Sequence, residues 1–173
     1  MTGDMRRAAI LQLLREQGSP LSGTAIAQQF GVSRQVIVQD MALMRAENHP
    51  ILSTSKGYLI RKTTDHAQRP KRVFFVRHET EQVLDEFTTV LELGGVVLDV
   101  AVEHELYGQI RVDLLIESQQ DALDFVQRLA LCRDNPLKAL TGDSHYHTVA
   151  APSEKLLDLI EQALLEKGYL IKE

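Results

Sequence analysis

One cysteine, Cys132, is all the thiol that the 173 residues contain. No disulfide can therefore close within the chain, and a reducing cytoplasm is the expected compartment. Cys132 itself is expected as a small core residue on a helix. No stretch approaches the roughly 18 apolar residues of a membrane span. Asp4, Arg6 and Arg7 near the start are not followed by the apolar core and cleavage site of a secretory leader. Also missing are a glycine-rich phosphate cradle and an identifiable nucleophile with its base, which leaves an enzyme little to work with.

The net charge of −5 hides two opposed halves. Residues 1–72 carry 11 Lys and Arg against 5 Asp and Glu, a net of +6, whereas residues 73–173 carry 8 against 19, a net of −11. A polyanion such as nucleic acid is drawn to the first half and repelled by the second. The length also suits a small domain of about 60 residues joined to one of about 100. The expected division is residues 1–62, a linker at 63–72 with Pro70 and no apolar periodicity, and a second domain at 73–173.

In the first part Ala9, Ile10, Leu13 and Leu14 recur at helical spacing until Gly18-Ser19-Pro20. Ser22 is placed to cap a second helix with Ile26 and Phe30 inward, ending at Gly31. Ser33 is placed to cap a third, running to about Asn48. Two helices around Gly31-Val32-Ser33 make a helix-turn-helix whose second member reads the major groove. Ile37, Met41 and Met44 fall on its inner face, leaving Arg34, Gln35, Val38 and Gln39 outside. Ile51-Leu52-Ser53 and Tyr58-Leu59-Ile60, joined through Gly57, form the two strands of a wing. The expected DNA contacts are Ser33, Arg34, Gln35 and Gln39 on the reading helix, with Ser55 and Lys56 at the wing tip. The stretches Leu21 to Phe30, Ser33 to Asp40 and Ser53 to Tyr58 resemble the winged helix at the N-terminus of biotin repressors and related regulators.

The acidic part reads βαββαβαβ. Its strands are Val73–Val76, Val96–Val102, Ile110–Ile116, His145–Val149 and Tyr169–Ile171. Its helices carry Val83 to Leu91, Leu123 to Ala130, and Leu156 to Leu164 after Pro152. This order implies an α+β sandwich, helices over one face of a mixed or antiparallel sheet. His78, His104, His145 and His147 lie at strand ends or within strands. On a strand, His145 and His147 emerge on one side, roughly 6 to 7 Å apart, with Tyr146 opposite. Glu86 borders the apolar stripe of its helix instead of its wet side, so its carboxylate needs a partner. If His78 folds back, then His78, Glu86, His145 and His147 can present three nitrogens and an oxygen to one divalent ion. Surface histidines and a solvated glutamate would leave the same pattern.

The motifs Val76-Arg77-His78, Val102-Glu103-His104-Glu105-Leu106-Tyr107-Gly108 and Gly142-Asp143-Ser144-His145-Tyr146-His147-Thr148, placed after a winged helix, resemble the three-histidine (3H) domain regulators. That resemblance implies an HPr-like sandwich, a homodimeric repressor of niacin uptake and NAD salvage genes, and a bound transition metal. Its ligands fall on His78, Glu86, His145 and His147. Mixed imidazole and carboxylate ligation suits zinc, nickel, iron or manganese. Nicotinic acid is then the expected effector and operator DNA the expected partner, with no membrane involved. His104 and Tyr107 are expected as pocket wall and Arg111 as a partner for the effector's carboxylate. A metal-dependent hydrolase fused to a DNA reader is the competing class. A repressor answering another small acid, or the metal itself, is the third.

Overall fold

The computed structural model describes residues 1–60 and 65–172. Residues 61–64, which span the expected boundary between the first domain and the linker at 63–72, lie outside them. The chain divides into two compact units, Met1–Thr64 and Asp65–Glu173.

Unit 1 is built from three helices and a hairpin: α1 (Gly3–Gln17), α2 (Gly23–Phe30), α3 (Arg34–Ala46), β1 (Ile51–Thr54) and β2 (Gly57–Ile60). Both expected serine caps are made: Ser22 accepts from the Ala25 amide at 3.0 Å and Ser33 from the Val36 amide at 3.3 Å. Gly31 between α2 and α3 has φ +63°, a left-handed turn that a side chain would strain. Ile10, Leu14, Ile26, Ile37, Met41 and Met44 form the core. One buried polar residue in this unit is not announced by periodicity. Asp40 turns inward on α3 and is held by the guanidinium of Arg6 at 2.7 Å and of Arg7 at 3.4 Å.

The hairpin is fastened to the α1–α2 loop by paired backbone bonds, Leu21 N–H to Tyr58 O at 2.9 Å and Tyr58 N–H to Leu21 O at 2.8 Å. This brings the Leu21 carbonyl so near Gly57 (φ +132°) that a Cβ there would stand 2.2 Å from its oxygen. Gly57→Ala is therefore expected to cost unit 1 on the order of 2 kcal/mol or more, since both a strained φ and a backbone collision must be relieved. Chemical denaturation followed by circular dichroism would measure it, and an unchanged midpoint would refute the close approach.

Unit 2 contains β3 (Lys71–Arg77), α4 (Val83–Glu92), β4 (Val96–His104), β5 (Gly108–Ile116), α5 (Gln119–Leu131), β6 (Ser144–Ala150) and α6 (Glu154–Glu166). Its strands run in the order β5-β4-β6-β3, each pair antiparallel. The alternation that makes these strands two-faced puts Phe74, Val76, Val97, Leu114, Ile116 and Val149 on the face that packs with Phe87, Val90, Ala122, Leu157, Ile160 and Leu164 from the three helices. The result is the expected two-layer α+β sandwich.

Two expectations are corrected. Tyr169–Ile171 is no strand: past Gly168 (φ +76°) it meets β3 through one isolated bridge, Val76 with Leu170. Cys132 is exposed, not core, because α5 ends at Leu131 and Cys132 turns out of the helix at its C-cap. Among the described residues no helix is long and apolar enough to cross a membrane.

Candidate metal centre

His145 and His147 alternate with Tyr146 along β6 and so face the helices, beside Val76 and Phe74 of β3, with which they are in register. His78 follows the last residue of β3. The chain then makes a 3-10 turn at Thr80–Gln82, locked by a capping box between Glu79 and Gln82, and runs into α4. This reversal removes the distance that one straight helix would impose between His78 and Glu86. The carboxylate lies in the first turn of α4, where the helix dipole favours negative charge.

All four residues are buried, and one donor atom from each lies within 4.8 Å of the others. His78 Nε2 is 2.8 Å from Glu86 Oε2, His147 Nε2 is 3.4 Å from the same oxygen, and His145 Nε2 is 3.1 Å from His147 Nε2. Ligands about 2.0–2.1 Å from a tetrahedral ion stand roughly 3.3 Å apart. These three separations bracket that value, and all four donor atoms stay within 4.8 Å of one another.

The remaining imidazole nitrogens determine what these atoms are. His78 Nδ1 donates to Glu79 O at 2.9 Å, His145 Nδ1 to Asp143 O at 2.9 Å and His147 Nδ1 to Asp99 O at 2.7 Å. A carbonyl can only accept, so each Nδ1 carries a proton and each ring turns its Nε2 to the centre. Three Nε2 atoms and a carboxylate converge there, and His78 Nε2 and Glu86 Oε2, buried 2.8 Å apart, make no well-aligned hydrogen bond. Burial of such groups is costly unless a cation joins them.

The charge states differ between the two strand histidines. Burial, with His147 adding to it, pushes His145 down to about 3, so that ring is neutral. Burial opposes charge on His147 also, but the Glu86 carboxylate outweighs it and holds His147 above its ordinary value. Burial works to raise Glu86, yet the positive charge that His147 carries wins and keeps it well below the carboxylate range. A proton on His147 therefore sits where a metal ion would replace it.

The Asp99 carbonyl is free for His147 because the register of β4 against β6 shifts between Val97 and Ala101, an irregularity that takes this oxygen out of the regular ladder. The Asp99 side chain accepts from the Thr148 amide at 3.0 Å. Neither contact is visible in a hydrophobic pattern.

The three residues expected around an effector are not brought together. His104 Nδ1 accepts from the Leu106 and Tyr107 amides at 3.2 and 3.3 Å and its ring lies 4.9 Å from that of Tyr107, so both belong to the exposed β4–β5 turn. Arg111 is in register with Ala101, which is in register with Tyr146. It shares their face, opposite the histidines, and is engaged by Asp99 at 3.2 Å and Thr148 at 3.0 Å. A cavity of about 60 Å³ does open beside the four clustered side chains, walled by Phe87, Val100, Leu114, Phe125 and Leu129. Its polar wall residue overlooked in sequence is Lys138, buried on a 3-10 turn (Leu137–Thr141) where no periodicity shows which side chains point inward.

On unit 1, Ser33, Arg34, Gln35 and Gln39 are exposed at the start of α3 and Val38 is half-buried. At the hairpin tip the Lys56 amide donates to Thr54 Oγ1 at 3.1 Å, and the Thr54 hydroxyl to Gly57 O at 2.9 Å, which fixes the turn carrying Ser55 and Lys56.

A helix-turn-helix reader joined to a separate domain with a buried metal-competent cluster defines a DNA-binding regulator. The comparisons agree: residues 6–59 match a helix-turn-helix domain and residues 71–173 match the 3H domain. The chain belongs to the 3H-domain transcription repressors. It is 36% identical over 168 residues to the probable transcription repressor NiaR of Thermotoga maritima, covering 97% of this chain and 94% of that protein. It is 35% identical over 174 residues to the transcription repressor NadR of Bacillus subtilis, covering 100% and 97%. Both relatives are named repressors, which sets the hydrolase alternative aside.

Proposed function

We propose that this repressor senses nicotinic acid in the cytoplasm through a metal-containing 3H unit and controls genes of niacin uptake and NAD salvage. As a homodimer it would read operator DNA with Ser33, Arg34, Gln35 and Gln39 on α3 and Ser55 and Lys56 on the wing. The observation that carries the metal assignment is the set of three Nδ1-anchored imidazoles with their Nε2 atoms gathered about one buried carboxylate. His78, Glu86, His145 and His147 would hold one divalent ion, zinc or nickel in first place, with iron or manganese also suited to the donor set. Such an ion supplies a Lewis-acid position for a nitrogen donor.

Supporting the effector is the cavity beside that position, whose Phe87, Phe125, Val100 and Leu114 walls suit a flat aromatic ring. An effector bound there would favour one spacing of the two reading helices in the dimer, and only one spacing matches two half-sites a helical turn apart. Operator affinity measured at fixed salt and fixed metal, with and without nicotinate, is expected to differ by tenfold or more, the coupling of about 1.4 kcal/mol usual for allosteric effectors. Equal affinities would sink the niacin assignment and leave the DNA and metal assignments standing.

A further inference from the structure

We propose that Lys138 is the cation that receives the effector's carboxylate, and that Asp143 occupies its place on Lys138 until the effector arrives. The proposal rests on the niacin reading and deepens it. Lys138 is 5% exposed, yet it lies in the wall of the cavity that His78, His145 and His147 also line. A lysine is seldom buried so fully without compensation. Its ammonium donates to His78 O at 3.1 Å and to the Asp143 carboxylate. An ammonium has three N–H donors, and these contacts use two of them.

Asp143 is suited to yield. Its backbone has φ +69°, a left-handed conformation that a non-glycine residue adopts at a cost. Its carbonyl is meanwhile committed to His145 Nδ1. Its side chain is 44% exposed, so on release the carboxylate enters water without being stranded. Exchange of one carboxylate for another conserves the charge around Lys138, which an uncharged ligand cannot do. The site is thereby selective for an acid over its amide, with the ring nitrogen directed to the metal-competent histidines. Arg111 cannot take this role from the opposite face of the sheet.

The competing account makes Lys138 only a staple between the His78 carbonyl and the Asp143 loop. Calorimetric titration of nicotinate and of nicotinamide into the metal-loaded full chain separates the two, with metal content assayed in every sample. For Lys138→Met we expect metal equal to wild type, nicotinate binding weakened roughly tenfold or more, and the preference for nicotinate over nicotinamide lost. For Asp143→Asn we expect tighter nicotinate binding, because the internal competitor is gone. Wild-type nicotinate affinity in Lys138→Met overturns the proposal, as does equal weakening of both ligands together with loss of metal. If Lys138→Met does not fold, unchanged or weaker nicotinate binding by Asp143→Asn overturns it instead. Failure of the wild-type protein to bind nicotinate brings down the niacin reading itself, a result distinct from binding that ignores Lys138.

Discussion

The His145→Ala, His147→Ala double variant is expected to lose its divalent ion altogether while remaining a folded, DNA-binding protein. Elemental analysis of purified wild type should show about one metal per chain and the variant close to none; stoichiometric metal in the variant would refute the ligand assignment. Removing two of four ligands leaves His78 and Glu86, too few to close a tetrahedral site. The fold should survive because the core of unit 2 is assembled from Phe74, Phe87, Ile116, Leu157 and Ile160, none of which touches the ion's position as a ligand. Metal should nevertheless raise wild-type stability by mass action, about 2.7 kcal/mol at a free concentration one hundred times Kd. For a unit of this size that is a rise in Tm on the order of 10 °C. Chelator should erase the rise in wild type and do nothing to the variant, in which there is no ion to remove. An equal chelator effect on both proteins would place the metal elsewhere.

Three of the four side chains that cluster in unit 2 were legible in sequence for a definite reason: each leaves a mark in a local pattern. His145 and His147 alternate on a β-branched strand, and Glu86 stands at the edge of an apolar helical stripe. The three helices and wing of unit 1 were legible likewise from serine caps, Gly31 and the inward spacing of Ile37, Met41 and Met44. What did not show was everything decided by register or by irregular backbone. The Asp99 carbonyl reaches His147 only because β4 shifts register against β6. Arg111 misses the face of the histidines because of a pairing that no periodicity reports. Lys138 is buried by a 3-10 turn, and Asp40 by two arginines more than thirty residues earlier in the chain. A long-range partner of this kind sets the orientation of the His147 ring, whereas the carbonyls that anchor His78 and His145 lie one and two residues away in the chain.

Arg34→Ala and Gln35→Ala are each expected to lower affinity for the correct operator by roughly ten- to a hundredfold, while affinity for unrelated DNA falls far less. Both side chains are exposed in the first turn of α3, the end of a reading helix that approaches base edges in this motif. An arginine fork on guanine or a glutamine amide on adenine contributes about 1–3 kcal/mol of discrimination, which sets the expected factor. Burial of Ile37, Met41 and Met44 fixes the rotation of α3, so truncating the outer residues should leave stability nearly unchanged. Lys56→Ala should behave differently. A wing-tip lysine meets the phosphate backbone, which is the same in every sequence, so its loss should weaken operator and unrelated DNA alike. It should also reduce the slope of log K against log salt by about 0.9, the signature of one fewer released counterion. Binding isotherms on both DNAs at several salt concentrations distinguish the two roles. If Arg34→Ala and Gln35→Ala lowered both affinities in equal proportion, α3 would be a backbone contact and the base reader would have to lie elsewhere on unit 1.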